Sequence, residues 1–195
     1  MKMTVLYVKD TGQVMAVVTR AALAEAAPAA AADGAAPEVI ALVGDSLPVR
    51  SFLDQGTGFL NPTLFSIPAD QLAALTVDRD EDQLLSPRGF TVLDGKKLEV
   101  ALPPAALPGV TTPVGDPSTV VVTLPADAVS DLPLALHLVP EAGTAGGSQH
   151  FQGVFKPATP TVRVLTFRLR APLAGNYGVL ILLKGYLPAM QLLTV

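Results

Sequence analysis

The apolar residues of this chain fall into short runs separated by turn residues, a pattern that predicts strands. The first two runs, 3–8 and 13–20, flank a connection that ends in Gly12. A glycine there can supply the positive φ of a hairpin turn. A second hairpin is predicted where Asp94-Gly95 separates the runs 90–93 and 96–102, because Asp-Gly between alternating runs is typical of a type I′ turn. The remaining N-terminal strands are predicted at 39–43, 47–53, 64–67 and 74–78.

The C-terminal part has a denser pattern of the same kind. Six short strands separated by turn residues are typical of a β-sandwich, and they are predicted at 119–124, 132–139, 151–155, 162–170, 177–184 and 189–195. In the fourth, Leu165, Phe167 and Leu169 alternate with polar residues, which predicts one solvated face. The run 179–183 does not alternate and predicts a central strand covered on both faces. The second cover would be the N-terminal part or another chain.

Proline and glycine mark the division between these two parts. Between 103 and 118 they are so frequent that no regular element is expected, and Pro-rich chain favours an extended, semi-rigid spacer. We therefore predict an N-terminal β-rich module over 1–102, a Pro-rich linker over 103–118 and a sandwich over 119–195. Within the first module, the Ala-rich stretch 21–38 is interrupted by Pro28 and by Asp33-Gly34, which predicts a surface excursion with a short helical start.

The end of the chain carries one resemblance. The segment 171–177, the apolar run 179–183 and the turn 185–188 resemble the last two strands of immunoglobulin-like domains. In those folds a tyrosine at the start of the penultimate strand forms a tyrosine corner, its hydroxyl bonding to backbone a few residues upstream. The resemblance implies this role for Tyr177. The chain has no Cys and no Trp, so a generic sandwich is implied and no activity follows.

Composition adds the strongest hint about function. The chain is 50% hydrophobic and only 15% charged, whereas a typical soluble domain is about one-quarter charged. A surface with so little charge is expected to be covered in part by a partner. The net charge of −4 and the scattered basic residues argue against nucleic acid as that partner. The longest aliphatic run, 179–183, is too short to span a membrane.

The first ten residues lack the apolar length and the cleavage site of a secretory signal. We therefore expect the protein in the cytoplasm or in an assembled particle. The heavy use of Ala and Pro with scarce Lys is typical of a GC-rich bacterial genome.

Two groups of polar residues are candidates for chemistry. The acidic residues Asp78, Asp80 and Asp82 have the spacing that opens an EF-hand, but Gln83 and Gly89 occupy the positions that need Gly and Glu. A solvated loop is the main interpretation, and calcium in another geometry stays open. His137 and His150 are the two histidines of the chain. We interpret His137 as a strand residue with its hydrogen bonds satisfied, and we place His150 after a flexible loop where it is able to meet a partner or ligand.

No other motif indicates a site. The Gly-rich stretch 143–147 lacks the lysine and the following helix of a phosphate-binding loop. No catalytic, cofactor-binding or metal-binding residue is predicted. We expect an all-β, non-enzymatic structural or interaction subunit of a bacterial particle or homo-oligomer, for example a phage-tail-like, surface or shell assembly. The alternative is an adhesin-like sandwich that binds a ligand or glycan through the loop 143–150.

Overall fold

The structure, a computed structural model, describes residues 2–19, 37–54, 60–78, 86–101, 108–125, 131–141, 144, 146–156, 162–169 and 171–195. Within these ranges it is nearly all β, with small antiparallel sheets, which confirms the predicted all-β class. The strands are β1 (Lys2–Val8), β2 (Val14–Thr19), β3 (Ser46–Asp54), β4 (Leu60–Pro68), β5 (Leu72–Asp78), β6 (Phe90–Leu93), β7 (Lys97–Val100), β8 (Gly109–Thr111), β9 (Thr119–Pro125), β10 (Leu132–Pro140), β11 (Gln149–Phe155), β12 (Val162–Arg168), β13 (Asn176–Leu183) and β14 (Ala189–Thr194). One α-helix, α1 (Pro37–Val43), and two 3₁₀ turns (Ala69–Gln71 and Pro87–Gly89) complete the described elements.

The chain divides into two compact units. The first comprises 1–49, 66–103 and 184–187, and the second comprises 50–65, 104–183 and 188–195. Strands β3 and β4 pair with each other and are divided between the units. The predicted modules 1–102 and 119–195, joined by a linker, remain a prediction about independent folding.

The first unit contains the antiparallel sheet β2-β1-β5. β1 and β2 form the predicted N-terminal hairpin, and Gly12 has the positive φ (75°) expected of it. One face of the sheet buries Met3, Val5, Tyr7 and Val14, which pack with Val92 of β6. This apolar cluster joins the sheet to the second hairpin.

The second hairpin, β6–β7, forms at Asp94-Gly95 as predicted. Both residues have positive φ (51° and 67°), as a type I′ turn requires. The N–H of Lys96 donates to the carbonyl of Leu93 at 3.0 Å and closes the turn. The local sequence therefore determines this element.

The predicted strand 39–43 is wrong, because these residues belong to helix α1. Pro37 stands at the start, where its missing N–H has no intrahelical partner to lose, and Glu38 lies in the positive first turn. At the other end Gly44 has φ 67°, and its N–H donates to the carbonyl of Ile40 at 2.8 Å. This is the left-handed glycine cap that ends many helices. A short apolar run alone does not distinguish a strand from a buried helix.

The second unit contains two antiparallel sheets, β11-β10-β13-β14 and β12-β9-β8. They pack face to face: the rings of Phe151 and Phe167 lie 5.2 Å apart, centroid to centroid. A Cβ added to Gly153 would lie 3.1 Å from Leu165 and 3.2 Å from Phe167. All six predicted C-terminal strands are present. The prediction that no regular element forms within 103–118 is wrong at one place. Gly109–Thr111 forms β8 and pairs with β9.

The run 179–183 lies in an interior strand, as predicted, because β13 pairs with β10 on one side and with β14 on the other. Its five side chains are 0–3% exposed in the single chain. Burial of this run therefore requires no second copy.

Tyr177 is 1% exposed at the start of β13. Its hydroxyl lies beside Gly146, in the connection between β10 and β11, where an added Cβ would be 2.5 Å from the oxygen. The tyrosine-corner interpretation expects the hydroxyl to approach backbone a few residues before Tyr177. Gly146 is far upstream in the sequence, and the predicted hydrogen bond from the Tyr177 hydroxyl to backbone a few residues before it stays a prediction.

Candidate functional site

The structure brings the two histidines together. β10 and β11 form an antiparallel hairpin whose register places His137 directly opposite His150. Side chains at opposed positions lie on the same face of a sheet and within contact distance. The rings meet edge to face, with centroids 4.6 Å apart and an interplanar angle of 71°.

The two rings share a hydrogen bond. Their Nδ1 atoms are 2.5 Å apart, so one Nδ1 donates its proton and the other accepts it. His137 is 1% exposed, and its Nε2 is a buried atom without a hydrogen-bond partner among the described residues. Burial lowers the pKa of His137 from 6.5 to about 3, and the charge of protonated His150 acts in the same direction. His137 is therefore neutral at physiological pH.

A pocket of about 350 Å³ adjoins His150 within the second unit. It is lined by Ser148, Gln149, His150 and Phe151, around the start of β11, and by Arg168 at the end of β12. Four of these five described residues have side chains with hydrogen-bonding groups. Ser148 and Arg168 are exposed, whereas His150 is half-buried. The arrangement can bind a small polar group.

The other candidate residues do not join this site. Asp78 forms an exposed ion pair with Lys2 at 2.7 Å, and this interaction lowers the pKa of the Asp78 carboxyl. Residues 79–82 of the acidic cluster and Gly143 of the glycine-rich stretch lie outside the described residues. Across the described ranges, no group of three or more His, Asp or Glu side chains is placed to hold a metal ion. None of the helices described is long and apolar enough to cross a membrane.

Sequence reasoning identified both histidines but did not pair them. The connection between their strands, 141–148, does not reveal the pairing, because its middle is nearer to His150 than to His137. The observed register is set by the pairing of the two strands, and a shift of one residue would place the rings on opposite faces. Arg168 carries no signal either, because it reaches the pocket from a strand of the other sheet.

Comparison of the chain with protein-family models, with curated proteins and with solved structures gives no match. The assignment of function therefore rests on the residues themselves.

Proposed function

We infer that the two sheets of the second unit form an immunoglobulin-like sandwich. Counted from β8 to β14, the strands give one sheet of the first, second and fifth (β8, β9, β12) and one sheet of the fourth, third, sixth and seventh (β11, β10, β13, β14). Immunoglobulin-type sandwiches likewise place A, B and E in one sheet and C, F and G in the other. This order of strands supports the inference.

The edge strand β14 is the observation that carries a function. It runs Ala-Met-Gln-Leu-Leu-Thr, without a charged residue or proline, and its register with β13 is uninterrupted by a bulge. Charges, prolines and bulges are the devices that protect sheet edges from pairing with another chain. β14 has none of them, and among the described strands it pairs with β13 alone. Such an edge is suited to accepting a strand from another molecule.

The hydrogen-bonding direction of β14 can be derived from its last pair. Gly175 and Val195 exchange both backbone hydrogen bonds, at 3.3 and 3.1 Å. Hydrogen-bonded and non-hydrogen-bonded pairs alternate along an antiparallel ladder. The pair Gly178–Leu192 is therefore a non-hydrogen-bonded pair, and the N–H and C=O of Leu192 point away from β13.

On these grounds we propose that the protein is a non-enzymatic structural or interaction subunit of a bacterial multi-subunit particle or homo-oligomer. A second copy of the chain is the partner that we propose for β14, because two identical edges can pair antiparallel about a two-fold axis. The low charge of the chain favours such association, since few like charges oppose it.

Light scattering coupled to size-exclusion chromatography tests this function. We expect the wild-type mass to rise above that of the monomer as concentration increases. Leu192→Pro removes an outward N–H that β13 does not use, so the variant should stay folded and lose the association. Leu192→Ala is the matched control, because it also shortens the side chain but keeps the N–H. It should retain association.

Two results would contradict the proposal. One is a wild-type chain that remains monomeric at millimolar concentration. The other is equal association by Leu192→Pro and Leu192→Ala when thermal unfolding shows both to be folded.

The pocket beside His150 favours a second candidate function, a ligand-binding sandwich module. Its volume lies near the lower end of the range for small-molecule sites, about 300–1,000 Å³. The lining residues Ser148, Gln149 and His150 belong to the stretch from which the sequence predicts ligand contacts. This candidate is compatible with self-association at β14.

A further inference from the structure

The interface proposed for β14 closes after two copies, because a two-fold axis uses the same edge of both molecules. A particle with more copies therefore needs a second interface. The sheet β11-β10-β13-β14 has a second edge, β11, which among the strands that the structure describes pairs with β10 alone. Growth of this sheet beyond a dimer would take place at β11.

β11 lacks the features that protect sheet edges from pairing with another chain. It contains no Pro, Lys, Arg, Asp or Glu, and its register with β10 is uninterrupted. The other described edges of the three larger sheets, β14 apart, each carry a protective feature. The register of β2 with β1 is interrupted, β5 ends in Asp78, β8 has only three residues, and β12 contains Arg163 and Arg168.

The hydrogen-bonding direction of β11 follows from the next strand in the sheet. The N–H of Glu141 donates to the carbonyl of Asn176 at 3.0 Å, so the backbone groups of Glu141 point towards β13. These directions alternate along a strand. Leu136, five residues earlier, therefore points its N–H and C=O towards β11 and is hydrogen-bonded to its partner Phe151.

The positions next to Phe151 consequently face outward. The N–H and C=O of Gln152 and Val154 point away from β10. Their side chains lie on the outer face of the sandwich and are exposed, Val154 by 38%. β12 contacts β11 from the inner face, where Phe167 meets Phe151. The interior of the sandwich therefore does not use these two positions.

The sequence of β11 is complementary to itself about Gln152. In an antiparallel pair of two β11 strands centred there, Gln152 lies opposite its own copy and exchanges both backbone hydrogen bonds with it. Phe151 then lies opposite Gly153 of the other copy, where no side chain obstructs the ring. Val154 lies opposite His150. A second copy of the chain is therefore the partner that fits this edge.

We propose that β11 pairs antiparallel with β11 of a second copy about a two-fold axis at Gln152, and that dimers formed through β14 join by this pairing into an open chain. The two interfaces lie on opposite edges of one sheet, so their two-fold axes do not coincide and the assembly continues. This proposal rests on the proposed function and describes how the dimer grows.

Sedimentation velocity over a range of protein concentrations measures both steps. We expect β11 to pair more weakly than β14, since Gln152 and Gly153 bury less apolar surface than Met190 and Leu192. The wild type should form dimers first and larger species at higher concentration. Leu192→Pro, which blocks β14, should be monomeric where the wild type is dimeric. At higher concentration it should reach a dimer through β11 and grow no further.

Gln152→Pro blocks the second step. It removes an outward N–H that β10 does not use, so the variant should stay folded and still form dimers through β14. We expect the apparent dissociation constant of the step beyond the dimer to rise about ten-fold or more, because each copy loses a hydrogen bond. Gln152→Ala is the matched control, since it keeps the N–H, and it should form the larger species. Thermal unfolding verifies that both variants are folded.

Amide exchange tests the same pairing without a substitution in β11. In Leu192→Pro, where β14 does not contribute, the outward amides of Gln152 and Val154 should exchange more slowly as concentration rises. The amides of Phe151 and Gly153, which point towards β10, should change little. Equal behaviour of the two sets in an associating protein would reject the pairing.

The outcomes separate the two interfaces. A wild type that stops at the dimer, with Leu192→Pro monomeric at every concentration, would reject pairing at β11 and leave the function proposed for β14 standing. Larger species formed equally by folded Gln152→Pro and Gln152→Ala would place the second interface elsewhere and also reject it. Association that is lost in Gln152→Pro and unchanged in Leu192→Pro would support β11 and reject β14.

Discussion

His137 carries a pH dependence that follows from its burial. In the folded chain its pKa is about 3, whereas an unfolded histidine titrates near 6.5. Above pH 6.5 both states are neutral, and His137 has no effect on stability. Between pH 6.5 and 3 only the unfolded state binds the proton, so the folded state loses stability progressively, by about 3 to 6 kcal/mol in total.

His137→Phe should remove this loss, because the substituted ring is buried at similar volume and cannot be protonated. We expect chemical denaturation of the wild type and the variant to give free energies of unfolding that converge or cross as pH falls from 6.5 to 3. His150→Gln, which keeps His137, should follow the steep wild-type dependence. Parallel curves for wild type and His137→Phe would contradict a neutral, buried His137.

Other residues show where sequence reasoning stops. In β12 the alternation correctly placed Phe167 towards the core and Thr166 towards solvent. By the same period of two, Arg163 lies on the inner face and is 2% exposed, while Val164 is 54% exposed. Periodicity predicts which face of the sheet a residue occupies. It does not predict that a charged residue such as Arg163 lies inside or that an apolar residue such as Val164 lies outside, because both depend on contacts with other parts of the chain.

At the scale of elements, two turn glycines of the first unit differ in what surrounds them. Gly12 and Gly44 both have positive φ, which costs a side-chain-bearing residue about 1 to 2 kcal/mol. A Cβ on Gly12 would also clash with the carbonyl oxygen of Val92, whereas one on Gly44 would meet nothing within 4 Å. The hairpin turn at Gly12 is therefore packed closely against β6, whereas a side chain at Gly44, after helix α1, would have free space around it.

Gly44→Ala should lower the free energy of unfolding by about 1 to 2 kcal/mol. Gly12→Ala should cost clearly more, about 2 to 5 kcal/mol, because backbone must move to relieve the clash. Urea denaturation of the two variants measures the difference. Equal losses would mean that the Val92 carbonyl does not restrict the turn.

The elements that the sequence predicted well are those with a local determinant. Asp94-Gly95 encodes its own turn, and the C-terminal strands are bounded by turn residues. Helix α1 was missed because its apolar run is short enough to form either a strand or a short helix. β8 was missed because its pairing with β9 outweighs the surrounding prolines. The pairing of the two histidines depends on the register between β10 and β11, which the sequence pattern does not specify.

For the whole molecule, the predicted boundary at 103–118 can be tested with fragments. Because β8 pairs with β9 and buries Val110, a fragment 104–195 should be more stable than a fragment 119–195. The burial of one valine corresponds to about 1.5 to 3 kcal/mol. Circular dichroism during denaturation measures both. Two unfolded fragments would contradict an independent C-terminal module, and equal stability would contradict a structural role for β8.

The association of whole molecules through β14 is the central claim, and amide hydrogen exchange tests it most directly. The N–H groups of Met190, Leu192 and Thr194 point away from β13, while those of Gln191 and Leu193 point towards it. Exchange followed by NMR at low and high protein concentration separates the two sets. We predict that the three outward amides exchange more slowly as concentration rises, while the two inward amides change little. Outward amides whose exchange is independent of concentration, in a protein that light scattering shows to associate, would place the interface elsewhere and contradict this account.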